Sequence, residues 1–198
     1  MKKVMMYLGL VAIFLLTACG SEKDTGEREQ NETREETESQ ANLGDDIYGG
    51  VPMEDLREAV LEVLGTNYWP DNHVPETDFQ EKYGLTQDMY EDYFAEEAVV
   101  ETSADALVIV KAAPGRAEEV EKALNDYRQS QVDRTDTTPE NAVKHNASRI
   151  EVFGSYVCFV QLGADLTTLM EQGEEAVMTR CQEENEKALD AIRTALVK

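Results

Sequence analysis

The apolar positions of the chain follow a helical spacing where its folded part begins. They recur at intervals of three and four residues, at Leu56, Val60, Val63 and Leu64. This spacing predicts an amphipathic helix. The helix is expected to begin after Pro52 and to end at Gly65, because proline favours the first turn of a helix and glycine favours its end.

Two short helices are predicted next. Thr77 and Gln80 have the spacing of a capping box, and Gly84 would end the helix that carries Phe79 and Tyr83. Thr86 would cap the second helix. Its apolar positions also recur at helical spacing and are interpreted as core packing: Met89, Tyr90, Tyr93 and Phe94.

The pattern then changes to short extended runs. Residues 98–102 and 106–112 are rich in valine or isoleucine and predict a first hairpin. Residues 150–153 and 156–162 predict a second hairpin, because Gly154-Ser155 suits a two-residue turn with glycine at positive φ.

Two longer helices complete the pattern. One follows Pro114-Gly115, and its apolar face carries Val120, Leu124, Tyr127 and Gln131. The other begins near Leu166, is interrupted at Gly173, and runs towards the C-terminus. Its stripe consists of Met170, Val177, Cys181, Ala188, Ile192 and Ala195.

These elements predict an α+β fold. Hairpins place antiparallel strands side by side, whereas a parallel sheet needs a crossover between each pair of strands. We therefore expect an antiparallel sheet of about four strands, with helices packed on one face and a long C-terminal helix. A parallel α/β sheet is the alternative.

The N-terminus has the pattern of a lipoprotein signal peptide over residues 1–18. Lys2 and Lys3 precede an apolar run, and the lipobox consists of Leu16, Thr17, Ala18 and Cys19. The uncharged stretch is shorter than the roughly 20 residues of a membrane-spanning helix, the alternative interpretation. We predict a lipid anchor, palmitate included, on Cys19. The expected location is the extracytoplasmic face of the cell membrane.

Residues 19–47 are predicted to form an acidic, disordered tether, because glutamate, glutamine, asparagine, threonine and serine dominate there. A long charged helix is the alternative. Residues 48–198 would form a single α+β domain. The formal net charge of the chain is −23, which disfavours a nucleic-acid partner or binding to anionic lipid headgroups.

Two cysteines remain after the one assigned to the lipid. Cys158 lies in an apolar strand and Cys181 in a helical stripe, where a thiol behaves as a small buried hydrophobe. We expect two buried thiols. A disulfide is the alternative, since it is permitted outside the cytoplasm.

The order of these patterns resembles a known family. The resemblance rests on Tyr83-Gly84-Leu85, Ala98-Val99-Val100, the run from Asp105 to Lys111 and Gly154-Ser155-Tyr156-Val157-Cys158-Phe159-Val160. The chain is similar over about residues 55–163 to domain-of-unknown-function 4358, a family of small Gram-positive lipoproteins. Residues 164–198 would be a helical extension beyond this family-like core. The resemblance implies no catalytic residues.

No arrangement of catalytic or cofactor-binding residues is evident in the sequence. The two histidines, His73 and His145, lie in separate polar segments, and neither forms part of a nucleophile motif. The acidic stretch with Asp71, His73, Glu76 and Asp78 is interpreted as a solvated loop rather than a metal site. We therefore predict neither a cofactor nor a metal.

One loop is a possible binding edge. It carries Tyr68, Trp69 and His73, and aromatic residues on loops often contact partners. A tryptophan folded back as a lid over the core is the other interpretation. We expect a non-enzymatic binding or interaction module for an envelope protein or a small ligand. An envelope enzyme or a metal-binding protein with a carboxylate site is the alternative.

Overall fold

The computed structural model describes residue 48 and residues 50–99, 103–163 and 166–197. The predicted signal peptide, the lipid attachment at Cys19 and the tether at 19–47 lie outside these residues. In chain order the described elements are α1 (Met53–Leu64), β1 (Asn72–His73), α2 (Glu76–Tyr83), β2 (Tyr90–Glu97), β3 (Ala106–Ala112), α3 (Ala117–Val132), α4 (Pro139–Ala147), β4 (Arg149–Phe153), β5 (Tyr156–Gln161), α5 (Thr167–Met170) and α6 (Glu174–Leu196).

The strands form a five-stranded sheet in the order β1-β2-β3-β5-β4. Every neighbouring pair is antiparallel, which confirms the predicted α+β fold. The sheet has one strand more than about four, because the two-residue β1 pairs with the end of β2. In the second hairpin Phe153 pairs with Tyr156, and Gly154 adopts a φ of 60° as its turn requires.

Helices cover both faces of the sheet, so the prediction of one covered face was wrong. On one face α1 and α6 pack against Leu107, Ile109, Cys158 and Val160. On the other face α2 and α3 pack against Val108, Val110, Val157 and Phe159. Successive residues of a strand point to opposite faces, so a strand that is apolar at every position needs a cover on both.

The prediction of a helix over Met89, Tyr90, Tyr93 and Phe94 was also wrong. Residues 87–89 form one 3₁₀ turn, and Tyr90–Glu97 form β2. The four apolar positions fit a helical spacing, but tyrosine and phenylalanine also favour strands. Pairing with β3 along the length of β2 decides between the two.

The first strand of the first hairpin lies earlier than predicted. Glu97 pairs with Ala106, so the strand beside β3 is β2, and Ala98 and Val99 belong to no strand. Val99 is 66% exposed, so this valine does not contribute to the core. Residues 100–102 of the predicted strand lie outside the described residues.

Two details of the helices differ from the prediction. Val63 is 50% exposed, and Met53 instead contributes to the core beside Leu56 and Val60. The capping box at Thr77 does not form, because α2 already begins at Glu76 and Pro75 precedes it. A proline at this point fixes the backbone that leads into the first turn.

The remaining long elements confirm the sequence patterns. Helix α3 buries Val120 and Leu124, and Gly173, with a φ of 102°, separates α5 from α6. Cys158 and Cys181 are buried free thiols, as expected.

Helix α4 was not predicted. Among the helices of the described residues, none is both long enough and apolar enough to span a membrane.

Candidate functional site

A pocket of about 240 Å³ lies where β2 and β5 end and β3 begins. Helices α3 and α4 contribute its walls. We call it the polar pocket, and its main lining side chains are Glu97, Tyr127, Arg134, Asn141, His145 and Gln161. Its lining residues come from three strands and from helices, and these elements are spread along the sequence.

Helix α4 places two polar side chains in the pocket. Thr138 caps this helix by accepting a hydrogen bond from Asn141 N at 3.3 Å, and Pro139 occupies the first turn. Asn141 and His145 are four residues apart, so their side chains are neighbours on one helical face. The start of α4 therefore fixes where both groups lie.

Asn141 has one amide atom committed to the fold and one that is available. The side chain is 7% exposed, and its Oδ1 accepts a hydrogen bond from Ala104 N at 3.0 Å. A backbone N–H needs an acceptor, which sets the orientation of the amide. Among the described residues no acceptor lies within hydrogen-bond distance of Nδ2. Asn141 therefore offers a donor to the pocket.

His145 is held in one tautomer by Gln161. The Gln161 Nε2 donates to Ala104 O, so Gln161 Oε1 is the atom 3.1 Å from His145 Nδ1. This oxygen only accepts, and Nδ1 therefore carries the proton. The other nitrogen, Nε2, is an acceptor 3.5 Å from Thr137 Oγ1.

Burial determines the charge of this histidine. His145 is 4% exposed, and desolvation lowers its pKa from 6.5, although the hydrogen bond to Gln161 acts in the opposite direction. The neutral ring consequently predominates at pH 7.

The charged groups at the rim of the pocket are already paired. Lys82 Nζ lies 2.5 Å from Glu97 Oε2, and Tyr83 OH donates to Glu97 Oε1 at 2.6 Å. Arg134 Nε lies 3.1 Å from Asp136 Oδ1. Each cation thus has a carboxylate partner, and the rim carries no unbalanced charge from these four side chains.

A buried ion pair supports the inner wall. Lys144 and Asp105 are in direct contact, with side chains 3% and 0% exposed. Lys144 Nζ donates to Ser103 Oγ at 3.1 Å, and Asp105 Oδ1 accepts from Gly163 N at 2.8 Å. The pair ties the start of β3 to α4 and to the residues after β5, so we assign it a structural role.

The predicted binding edge does not form one continuous surface. Tyr68 OH donates to Glu96 Oε2 at 2.7 Å, and Arg57 Nε donates to the same carboxylate. Trp69 is partly buried, with its ring centre 5.7 Å from Lys144 Nζ, whereas His73 is exposed on β1. Tyr68 and Trp69 therefore contact the fold itself. A binding role for the edge stays a prediction.

The acidic stretch around His73 does not gather into a metal-binding group. In the part of the chain that the structure describes, no three histidine, cysteine, aspartate or glutamate side chains are placed to hold one ion. Asp71 Oδ1 instead accepts a hydrogen bond from Val99 N at 3.2 Å.

Sequence reasoning missed Asn141, His145 and Gln161 as a group. The available signal was local: Thr138-Pro139 is a helix start, and the spacing of Asn141 and His145 places them on one face. Their proximity to Gln161 depends on the packing of α4 against β5, which sequence spacing does not reveal.

Residues 66–162 match a family model described as a domain of unknown function, DUF4358. Residues 66–162 belong to the DUF4358 family. All residues that line the polar pocket lie within the DUF4358 match, whereas α1 and α6 lie outside it. The polar pocket is thus built wholly by the family domain. No curated protein and no solved structure matches the chain.

Proposed function

We propose that this protein is a lipoprotein anchored to the extracytoplasmic face of the cell membrane, and that its DUF4358 domain is a non-enzymatic binding module. The basic start, the short apolar run and the lipobox ending at Cys19 support the anchor. The partly unsatisfied polar pocket supports binding of a small ligand. Its available donor on Asn141, 7% exposed, is the observation that carries this proposal.

The reason is energetic. A ligand that displaces water from a pocket keeps its affinity only where it reproduces the hydrogen bonds of that water, and Asn141, which lines the pocket, provides one such site. Water or a ligand in the pocket would satisfy Asn141 Nδ2. Because the Asn141 oxygen and His145 Nδ1 are fixed by protein partners, the two remaining atoms are already oriented for a ligand.

An envelope enzyme remains the second candidate because of one contact. Thr137 Oγ1 lies 3.5 Å from His145 Nε2, and Gln161 orients the same ring. This is the order of nucleophile, base and orienting group. A neutral glutamine does not stabilise the imidazolium that a base must form, and desolvation lowers the pKa of His145. These two features favour binding over catalysis.

Metabolic labelling tests the anchor. Cells that express the full chain are grown with an alkyne analogue of palmitate, and the labelled protein is detected in the membrane fraction. We expect label on the wild-type chain and on the Cys181→Ala control. The Cys19→Ala variant should carry no label, and label retained by this variant would contradict the proposed anchor.

A ligand screen tests the binding role. The chain is purified in detergent and its thermal unfolding is followed in the presence of a library of small polar metabolites. We expect at least one compound to raise the unfolding temperature and to be recovered chemically unchanged. Conversion of that compound by the wild-type chain, but not by a Thr137→Val variant, would instead establish the enzyme.

A further inference from the structure

We infer that the polar pocket takes a small uncharged ligand that carries hydroxyl groups, of the size of one sugar ring. This inference rests on the proposed binding function and names the class of ligand. It follows from the hydrogen-bonding groups of α4, from the charges at the rim and from the volume.

The first argument is the pairing of one donor with one acceptor. Asn141 Nδ2 donates, and His145 Nε2 accepts because the neutral ring carries its proton on Nδ1. The contact of Nε2 with Thr137 Oγ1 is 3.5 Å long, at the outer limit of a hydrogen bond, so a ligand hydroxyl can take its place. A hydroxyl group can accept from the first atom and donate to the second. A carboxylate only accepts and an ammonium group only donates, so neither satisfies both atoms.

The second argument is charge. An anion bound at Lys82 or Arg134 would lie beside the carboxylate of Glu97 or Asp136, which contacts that cation at 2.5 or 3.1 Å, and like charges at this range repel. A cation bound at either carboxylate would lie beside Lys82 or Arg134 and would be repelled in the same way. The formal net charge of −23 further disfavours anions near the surface. An uncharged ligand leaves both ion pairs intact.

The third argument is size. A volume of about 240 Å³ corresponds to roughly eight water molecules at about 30 Å³ each. This space accommodates a single hexose ring. Tyr127 also lines the pocket, next to these polar groups.

Matched sugar probes test the inference by saturation-transfer difference NMR on the detergent-purified chain. The neutral probes are D-glucose, D-galactose and D-mannose. Glucuronate and glucosamine keep the glucose ring and add a negative or a positive charge. We expect at least one neutral hexose to give a signal at least fivefold stronger than either charged probe.

A pair of asparagine variants tests the location. Asn141→Asp keeps the oxygen that accepts from Ala104 N and removes the Nδ2 donor, so hexose affinity should fall about tenfold or more. Asn125→Asp makes the same chemical change on the exposed face of α3 and should leave affinity within twofold of wild type. Circular dichroism and thermal unfolding confirm that both variants are folded.

Three outcomes would overturn the inference. A charged probe that binds as well as the neutral hexoses, with loss in Asn141→Asp, would exclude the uncharged class but keep the pocket as a binding site. Hexose binding that persists in folded Asn141→Asp would place the ligand elsewhere. If no neutral hexose binds, the ligand class is wrong, and the metabolite screen separately decides whether the chain is a binding module.

Discussion

Replacing Lys144 with methionine isolates the buried ion pair beneath the polar pocket. Methionine retains most of the apolar stem of lysine and removes its charge. The Asp105 carboxylate, whose side chain is 0% exposed, then loses its charged partner. Removing one member of a buried pair typically costs about 3–5 kcal/mol, because the remaining charge stays buried without compensation. Native domains have only about 5–15 kcal/mol of stability in total.

Urea unfolding measures this loss. With a denaturant slope of about 2 kcal/mol per molar, the expected change lowers the midpoint by roughly 2 M. Trp69 is the single tryptophan of the chain and lies over Lys144, so its fluorescence reports on the altered site. Circular dichroism follows the whole domain in parallel.

A double variant separates the ion pair from general damage to packing. Lys144→Met with Asp105→Asn removes both charges, and the asparagine oxygen can still accept from Gly163 N. We expect the double variant to recover at least half of the stability lost in Lys144→Met. Lys122→Met, in an exposed pair with Asp126, is the control and should stay close to wild type. Two results would refute the reasoning. One is a Lys144→Met chain whose free energy of unfolding lies within about 1 kcal/mol of wild type. The other is a double variant whose loss of stability equals the sum of the losses in Lys144→Met and Asp105→Asn.

Three further predictions concern the surroundings of the pocket and the core. Gly163→Ala should lower stability by about 1–3 kcal/mol in urea unfolding, because the added Cβ would lie 2.7 Å from Cys181 Sγ; if adding Cys181→Ala recovers none of the loss, this clash is not its cause. Burial raises the pKa of the Cys158 and Cys181 thiols, that of Cys181 to about 11. Neither thiol should therefore react with a thiol reagent at pH 7.5 until urea is added. Rapid labelling of the native chain would contradict their burial. Burial lowers the pKa of His145 from 6.5, so the unfolded chain binds that proton first as the pH falls, and the stability contributed by neutral His145 should be lost below about pH 6.5. In urea unfolding, His145→Gln should flatten this part of the pH dependence and His73→Gln should not. Equal slopes in the wild-type chain and both variants would exclude the effect.

The sequence predicted those elements whose pattern is local. Helix α3 has regular apolar spacing and the second hairpin has a Gly-Ser turn, so both were recognised. Strand β2 was not, because its aromatic positions at 89–94 fit a helix as well as a strand. Its pairing with β3 decided the outcome, and that pairing is a tertiary contact.

The polar pocket shows where such reasoning stops. Segment 139–147 is rich in polar residues, yet Asn141, Lys144, His145 and Ala147 are all buried. Asn141, Lys144 and His145 each have at least one partner from β3, β5 or the residues beside them: Ala104, Asp105 and Gln161. Burial of polar residues depends on these distant partners, so hydrophobicity along the chain could not indicate it.

The most direct test of the account follows the side-chain amide of Asn141 by NMR in the full chain with ¹⁵N-labelled asparagine. The compound that stabilises the chain most in the metabolite screen is added stepwise. We predict that the Asn141 side-chain resonances shift with saturation, while those of exposed Asn125 do not. Saturable binding that leaves the Asn141 resonances unchanged would contradict the assignment of the polar pocket as the binding site.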